Sequence, residues 1–187
     1  METFISILRG INVSGQKKIL MADLKALYQS LNFEDVSTYI QSGNVVFKAP
    51  ENSNGKELAR KIEAAISGKY NFHVPIIIRT AAEMENILAV NPFLKDASID
   101  PEKLHVTFLE EIPDQKNLES IKDFHSPPDQ FVVISREVFL HCPDKYGETK
   151  LSNKFFENKL KVAATTRNWK TVNKLSEMAT EKRASGI

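Results

Sequence analysis

An α+β protein of two tandem ferredoxin-like (βαββαβ, alpha-beta plait) subdomains with a C-terminal helix is the architecture that the sequence predicts. Three observations carry the prediction. Short β-branched apolar runs alternate with helical periodicity in the order strand, helix, strand, strand, helix, strand. That order recurs after a break at Asn91-Pro92 to Asp100-Pro101. A length of 187 residues, at roughly 150 residues per domain, suits one large domain or two small ones. We place the first subdomain at 1–91, the second at 101–166, and a helix docking on the domains at 167–187.

Each element has its own signal. Thr3 to Leu8 is short, apolar and without a breaker, the mark of a buried strand, whereas Arg9 to Lys18 holds two glycines and a lysine pair and reads as a loop. Leu24, Leu27, Tyr28 and Leu31 recur at helical spacing over 21–31, with Asp23 where the helix dipole favours an acid. Val36 to Ile40 and Val45 to Phe47 are strands flanking Ser42-Gly43, a hairpin turn because glycine accepts positive φ. A helix over 55–68 follows the cap candidates Asn52 to Asn54. Val74 to Ile78 is a strand whose Pro75 marks an edge position, and Ala81 to Val90 is helical.

In the second half, Leu104 to Leu109 is a strand and Asp114 to Asp123 a helix. Phe131 to Ile134 and Val138 to His141 are strands joined across Ser135-Arg136-Glu137. Helix 151–160 carries Leu151, Phe155, Phe156 and Leu160, and Val162 to Ala164 is read as a short last strand. A final helix over 168–182 sets Trp169, Val172, Leu175 and Met178 in one apolar stripe, which predicts a buried Trp169. No residue identity between the halves is evident.

Composition excludes several classes. An apolar fraction of 42% with 26% charged residues suffices for a core, so disorder is not expected. No apolar run approaches the ~20 residues a membrane helix needs, and no membrane partner is expected. The start lacks a basic n-region and apolar stretch, and Cys142 stands alone, so the expected compartment is a reducing cytoplasm. The net charge of +1 excludes a wholly basic nucleic-acid coat, but it is a balance of segments: 0 over residues 1–100, −5 over 101–149 and +6 over 150–187. The acidic segment is expected to dock the basic tail.

The topology places the polar residues. A right-handed crossover makes strands 1 and 2 parallel with strand 3 antiparallel between them. The end of strand 1, the hairpin and the start of strand 4 then share one edge. That edge gathers Arg9, Gly10 and Asn12 with Gln41, Ser42, Gly43 and Asn44, and His73 arrives beside them. A guanidinium fork, amides, a hydroxyl and two glycines suit a phosphate or carboxylate. The plainer account is that Arg9 and the amides satisfy loop carbonyls and hold two tight turns.

Other chemistry finds little support. Gly10 to Gly15 copies P-loop glycine spacing, but Gln16 stands where the phosphate lysine belongs and Lys18 replaces the magnesium Ser/Thr. His73, His105, His125, His141 and Cys142 lack metal-ligand spacing, so no metal and no cofactor is expected. His105 and His141 are expected to share a sheet face if their strands pair. Cys142 before Pro143 is read as a buried bystander thiol, and no GxSxG elbow occurs. Thr165-Thr166-Arg167-Asn168-Trp169 forms a second polar cluster, in which Thr166 or Asn168 can cap the last helix and Arg167 can close the anion site.

Three blocks, Leu8-Arg9-Gly10-Ile11-Asn12-Val13, Tyr39 to Phe47 and Ala164 to Trp169, together with Lys150-Leu151-Ser152-Asn153, resemble the bacterial domain-of-unknown-function 1697 family. The resemblance implies a pair of ferredoxin-like subdomains. It brings no assigned reaction, substrate or catalytic residue. The family's loop commonly reads GINVGGK; Ser14 and Gln16 depart from it here. Two functions follow as expectations: binding of a small phosphate- or carboxylate-bearing ligand through Arg9, Asn12, Gln41, Ser42, Asn44, His73 and Arg167, or a nucleic-acid or protein interaction module using the basic C-terminal segment. Whether the chain is an enzyme is not legible in the sequence.

Overall fold

The computed structural model describes residues 1–184; the last three residues of the expected 167–187 segment lie outside them. The first half runs β1 (Glu2–Leu8), α1 (Met21–Ser30), β2 (Glu34–Tyr39), β3 (Asn44–Ala49), α2 (Gly55–Tyr70), β4 (Ile76–Thr80) and α3 (Ala81–Val90). Two single 3₁₀ turns, Pro92–Lys95 and Pro101–Lys103, fill the break, each begun by a side-chain cap (Asn91, Asp100) and a proline. The second half runs β5 (Leu104–Leu109), α4 (Gln115–Glu119), β6 (Gln130–Ile134), β7 (Glu137–His141), α5 (Asn153–Leu160), β8 (Ala164–Asn168) and α6 (Trp169–Ala184). Contacts divide the chain into a first unit, Met1–Glu85 with residues 174 onward, and a second unit, Asn86–Asn173.

In the first unit all strands pair antiparallel in the order β2-β3-β1-β4. Phe4 and Leu8 on β1 and Val45 and Phe47 on β3 pack with Leu24 and Tyr28 of α1 and Leu58, Ile62 and Ile66 of α2. Ile5 and Ile7, on the opposite face of β1, are buried as well. Burial on both faces is why this strand reads as a continuous apolar run rather than an alternation. Helix α2 starts where Asn54 accepts from Lys56 N and Glu57 N, and stops at Asn71 in the left-handed region. Ser6 faces the helices too, and its hydroxyl meets Tyr28 Oη at 2.6 Å in a fully buried pair. Burial drives the Tyr28 phenol well above its ordinary pKa, so it stays protonated and neutral.

The second unit repeats the plan, antiparallel in the order β6-β7-β5-β8, with Leu109, Val138, Leu140, Phe156 and Leu160 in its core. Five readings need correction. The last strand is Ala164–Asn168, not 162–164: its β-branched threonines pair along β5, and Thr166 Oγ1 meets both Thr107 Oγ1 (2.6 Å) and Asn153 Oδ1 (2.7 Å). Helix 114–123 shrinks to Gln115–Glu119, because the Ser120 hydroxyl donates to Asn117 O at 2.6 Å and competes with the helix ladder. His105 and His141 lie on opposite sheet faces, since Leu104 sits opposite His141 and His105 opposite Leu140. The β6–β7 loop has two residues, Ser135 and Arg136, with Ser135 at φ 56°. The cations at the end of α6 pair with first-unit acids, Lys182 with Asp35 (2.6 Å) and Arg183 with Glu85 (2.8 Å), rather than with the acids of 101–149. Trp169 is buried, as its stripe predicts.

The halves also share a side chain that comparison of the sequences alone does not reveal. Arg79 on β4 lies opposite Ile5, and Arg167 on β8 lies opposite Val106; both arginines are buried. Each precedes a residue capping the next helix: Thr80 with Glu83 in a reciprocal capping box, and Asn168 accepting from Thr171 N.

Tyr28→Phe should lower stability in urea unfolding by about 1–3 kcal/mol by leaving the Ser6 hydroxyl without its partner. Adding Ser6→Ala should recover part of that loss, as expected for one coupled pair.

Candidate functional site

The edge predicted from topology is formed. Ile7 lies opposite Asn44 and Leu8 opposite Ile76, while Leu8 N donates to Gly43 O (2.9 Å) and Arg9 N to Pro75 O (3.0 Å). Arg9 therefore leaves β1 between the hairpin and the lead into β4. The β1–α1 connection then folds on itself: Gln16 N donates to Val13 O, with Ser14 (φ 49°) and Gly15 (φ 75°) at the turn. Lys17 Nζ reaches His73 O at 2.7 Å and ties this loop to the β4 lead-in.

Asn12 joins loop to hairpin. Its Nδ2 donates to Ile19 O (2.9 Å) and Gln41 O (2.8 Å), and its Oδ1 accepts from Ile19 N (2.9 Å). Asn44, fully buried, donates to Tyr39 O and Ser42 Oγ. Both amides thus hold the two turns, while Gln41 and His73 are exposed and Arg9 and Ser42 half-buried. Six of the seven predicted residues meet at this edge of the first unit. Arg167 belongs to the second unit, where Nη1 donates to Thr166 O (2.9 Å) and Thr165 Oγ1 (3.3 Å), and burial lowers its guanidinium to about 10.

Charge at the edge is one-sided. Segments 9–19, 40–43 and 71–75 carry Arg9, Lys17, Lys18 and His73 and no Asp or Glu. That absence is readable in the sequence, although no motif carries it. Gly10 adds a backbone donor: its φ is +70°, nothing lies within 4 Å of where a Cβ would stand, and no described residue accepts its N–H. Seven left-handed residues (Gly10, Asn12, Ser14, Gly15, Lys17, Ile40 and Gly43) crowd these two connections. Ile40, β-branched and 47% exposed at φ 50°, holds a conformation costing roughly 1–3 kcal/mol. The elaboration is confined to one half: the β1–α1 connection spans residues 9–20 and the hairpin turn 40–43, against 110–114 and 135–136 in the second unit.

Elsewhere the features are less suited to an anion. A cleft of about 750 Å³ at the far end of the first sheet is lined by Thr3, Glu34, Lys48, Glu51, Lys182 and Arg183, but Lys48 and Lys182 share Asp35, and Arg183 is paired with Glu85. Among the described residues no three His, Cys, Asp or Glu side chains are grouped to hold a metal. Cys142 is a free, buried thiol, pushed up to about 11 by burial, with Asp129 adding to the rise.

Comparison with known proteins agrees with this architecture. A family model described as "Protein of unknown function (DUF1697)" matches residues 1–139, and the chain belongs to that family. The blocks at 150–153 and 164–169 fall beyond the matched residues. The solved structure of conserved bacterial protein SP0830 from Streptococcus pneumoniae is similar in fold, with a TM-score of 0.77 and 23% identity over 96% of this chain and 99% of that one. No curated protein matches. No helix among the described residues is long and apolar enough to cross a membrane.

Two predictions test the edge and the thiol. A Cβ on Gly43 would stand 2.6 Å from Ile11 Cδ1 and 2.9 Å from Leu8 Cβ at φ +84°. Gly43→Ala should therefore cost about 2–3 kcal/mol in denaturant unfolding, against about 1 kcal/mol for the unobstructed Gly10→Ala. At pH 8 the native Cys142 should alkylate roughly 100-fold more slowly than the unfolded thiol from ionisation alone. Because the folded thiol keeps the proton that the unfolded one releases, this group's contribution to stability is constant below pH 9 and declines as pH rises towards 11.

Proposed function

We propose that this member of the DUF1697 family binds a small phosphate- or carboxylate-bearing ligand where the end of β1, the β2–β3 turn and the lead into β4 meet. We read each half as a ferredoxin-like unit (alpha-beta plait) and the protein as cytoplasmic, on the strength of its single, reduced cysteine. The observation that carries the proposal is the collection of Arg9, Lys17, Lys18 and His73 on three touching segments without one acid among them. Such a cluster makes a local positive potential that a net charge of +1 conceals. In this reading Arg9 presents its planar fork to two anionic oxygens, Gly10 N–H and the Ser42 hydroxyl donate beside it, and Lys18 draws the ligand in. Asn12 and Asn44 hold the turns in shape, with Gln41 at the rim. Strain at Ile40 supports the same reading, since backbone held in costly conformations concentrates at binding sites.

The second reading, nucleic-acid binding by the basic C-terminal segment, has less support. Lys174, Lys182 and Arg183 are each within salt-bridge distance of an acid of the same unit. The exposed Lys150, Lys154, Lys159, Lys161 and Lys170 remain for it.

A thermal-shift screen with nucleotides, sugar phosphates and organic acids, ionic strength matched with chloride, tests the first reading. A ligand at ten times its Kd stabilises by about 1.4 kcal/mol, which for a protein of this size raises Tm by roughly 3–6 °C. Arg9→Ala, folded by circular dichroism, should lose that shift. Failure of every compound to stabilise the wild type overturns the proposal. A gel shift with single-stranded oligonucleotides, lost when Lys159, Lys161 and Lys170 are neutralised, would favour the second reading in its place.

A further inference from the structure

A sheet still has hydrogen bonds to give at its edges, and folded proteins usually block them. The two sheets have four edge strands: β2, β4, β6 and β8. β4 and β8 are largely buried. β2 is exposed but guarded: its register breaks between Glu34 and Ser37, Asp35 is left-handed at φ 47°, and Lys48 and Lys182 both pair with Asp35. β6 has no such guard. Its sequence, Gln130-Phe131-Val132-Val133-Ile134, contains no charge and no proline, keeps an unbroken register with β7, and leaves Val132 37% exposed.

Geometry says which groups face outward. The two-residue loop makes Ile134 and Glu137 a hydrogen-bonded pair, and antiparallel pairing alternates from there. The N–H and C=O groups of Phe131 and Val133 therefore point away from β7, on a side where no described strand lies. Beside them runs an apolar cleft of about 580 Å³ lined by Phe93, Leu118, Ile121, Phe124, Phe131 and Val133. Glu119 and Asp129 line it together with Lys122 and His125, and the segment they belong to, residues 110–129, is acidic overall, with six acids and two lysines, Lys122 being paired with Glu119.

We propose that the β6 edge and its cleft bind an extended peptide of alternating apolar and basic residues, added as a fifth strand to the second sheet. The outward amides and carbonyls of Phe131 and Val133 supply main-chain bonds, apolar side chains on one face of the added strand enter the cleft, and the basic ones, projecting from its other face, are drawn by the net negative charge of the 110–129 segment. A second copy of the chain fits less well, because pairing β6 with itself brings two acidic borders together. The site is separate from the anion site and does not depend on it.

Fluorescence anisotropy with a labelled heptapeptide of alternating lysine and valine tests the proposal, with the glutamate–valine peptide and a lysine–valine peptide N-methylated on every second residue as controls. We expect the first peptide to bind at least tenfold more tightly than either control, and to slow hydrogen exchange of the Phe131 and Val133 amides. Val133→Pro removes an outward N–H without touching the β7 ladder and should abolish binding. If that variant does not fold, the double charge reversal Glu119→Lys with Asp123→Lys should weaken binding at least tenfold. Equal binding of the three peptides, absence of binding at low salt, or unchanged affinity in the folded variants overturns the proposal. So does a dimer in sedimentation whose β6 amides are already protected in the free protein.

Discussion

The Asn12 carboxamide is the contact on which the polar edge of the first unit depends. Its three hydrogen bonds close the β1–α1 connection on itself at Ile19 and tie it to the hairpin at Gln41. The hairpin is placed by the β2–β3 ladder, but the β1–α1 connection has only the single bridge between Val13 and Gln16, so a planar amide with both its donors used ties it down. The left-handed residues around it follow from the same constraint. Chain that must reverse twice within reach of one side chain has few φ/ψ routes, and Gly43 is there because Ile11 and Leu8 leave no room for a Cβ.

Behind that edge lies a repeated frame. Each half builds a four-stranded antiparallel sheet of the same strand order, ends it with a buried arginine, and begins the next helix with a side-chain cap. A guanidinium is costly to bury unless its donors are satisfied, and Arg79 Nη1 donates to Ile78 O as Arg167 Nη1 does to Thr166 O. The shared solution at equivalent positions is stronger evidence of a repeat than any run of matching letters.

How much of this was legible depended on range. Periodicity located helices 21–31, 55–68 and 81–90 and the paired strands around Gly43, because those signals are local. The buried Trp169 followed from its stripe in the same way. β8 was placed early, at 162–164, because Thr165, Thr166 and Arg167 look like loop residues until their partners Thr107 and Asn153 are in place. The two histidines were given one face because face depends on register, which no single strand reveals. At the site, topology brought Arg9, Asn12, Gln41, Ser42, Asn44 and His73 together correctly. That Asn12 and Asn44 turn inward was hidden, since carbonyl partners such as Gln41 O carry no side-chain signature.

The unequal loops of the two halves have a consequence of their own. The second unit has the same strand order and the same terminal arginine, but at the corresponding end its connections are shorter, residues 110–114 and 135–136. It is what the frame looks like with nothing mounted on that end. The chain therefore carries its own internal control: any difference in ligand response or exchange rate between those two ends is a difference that the extra residues of 9–20 and 40–43 make on a shared frame.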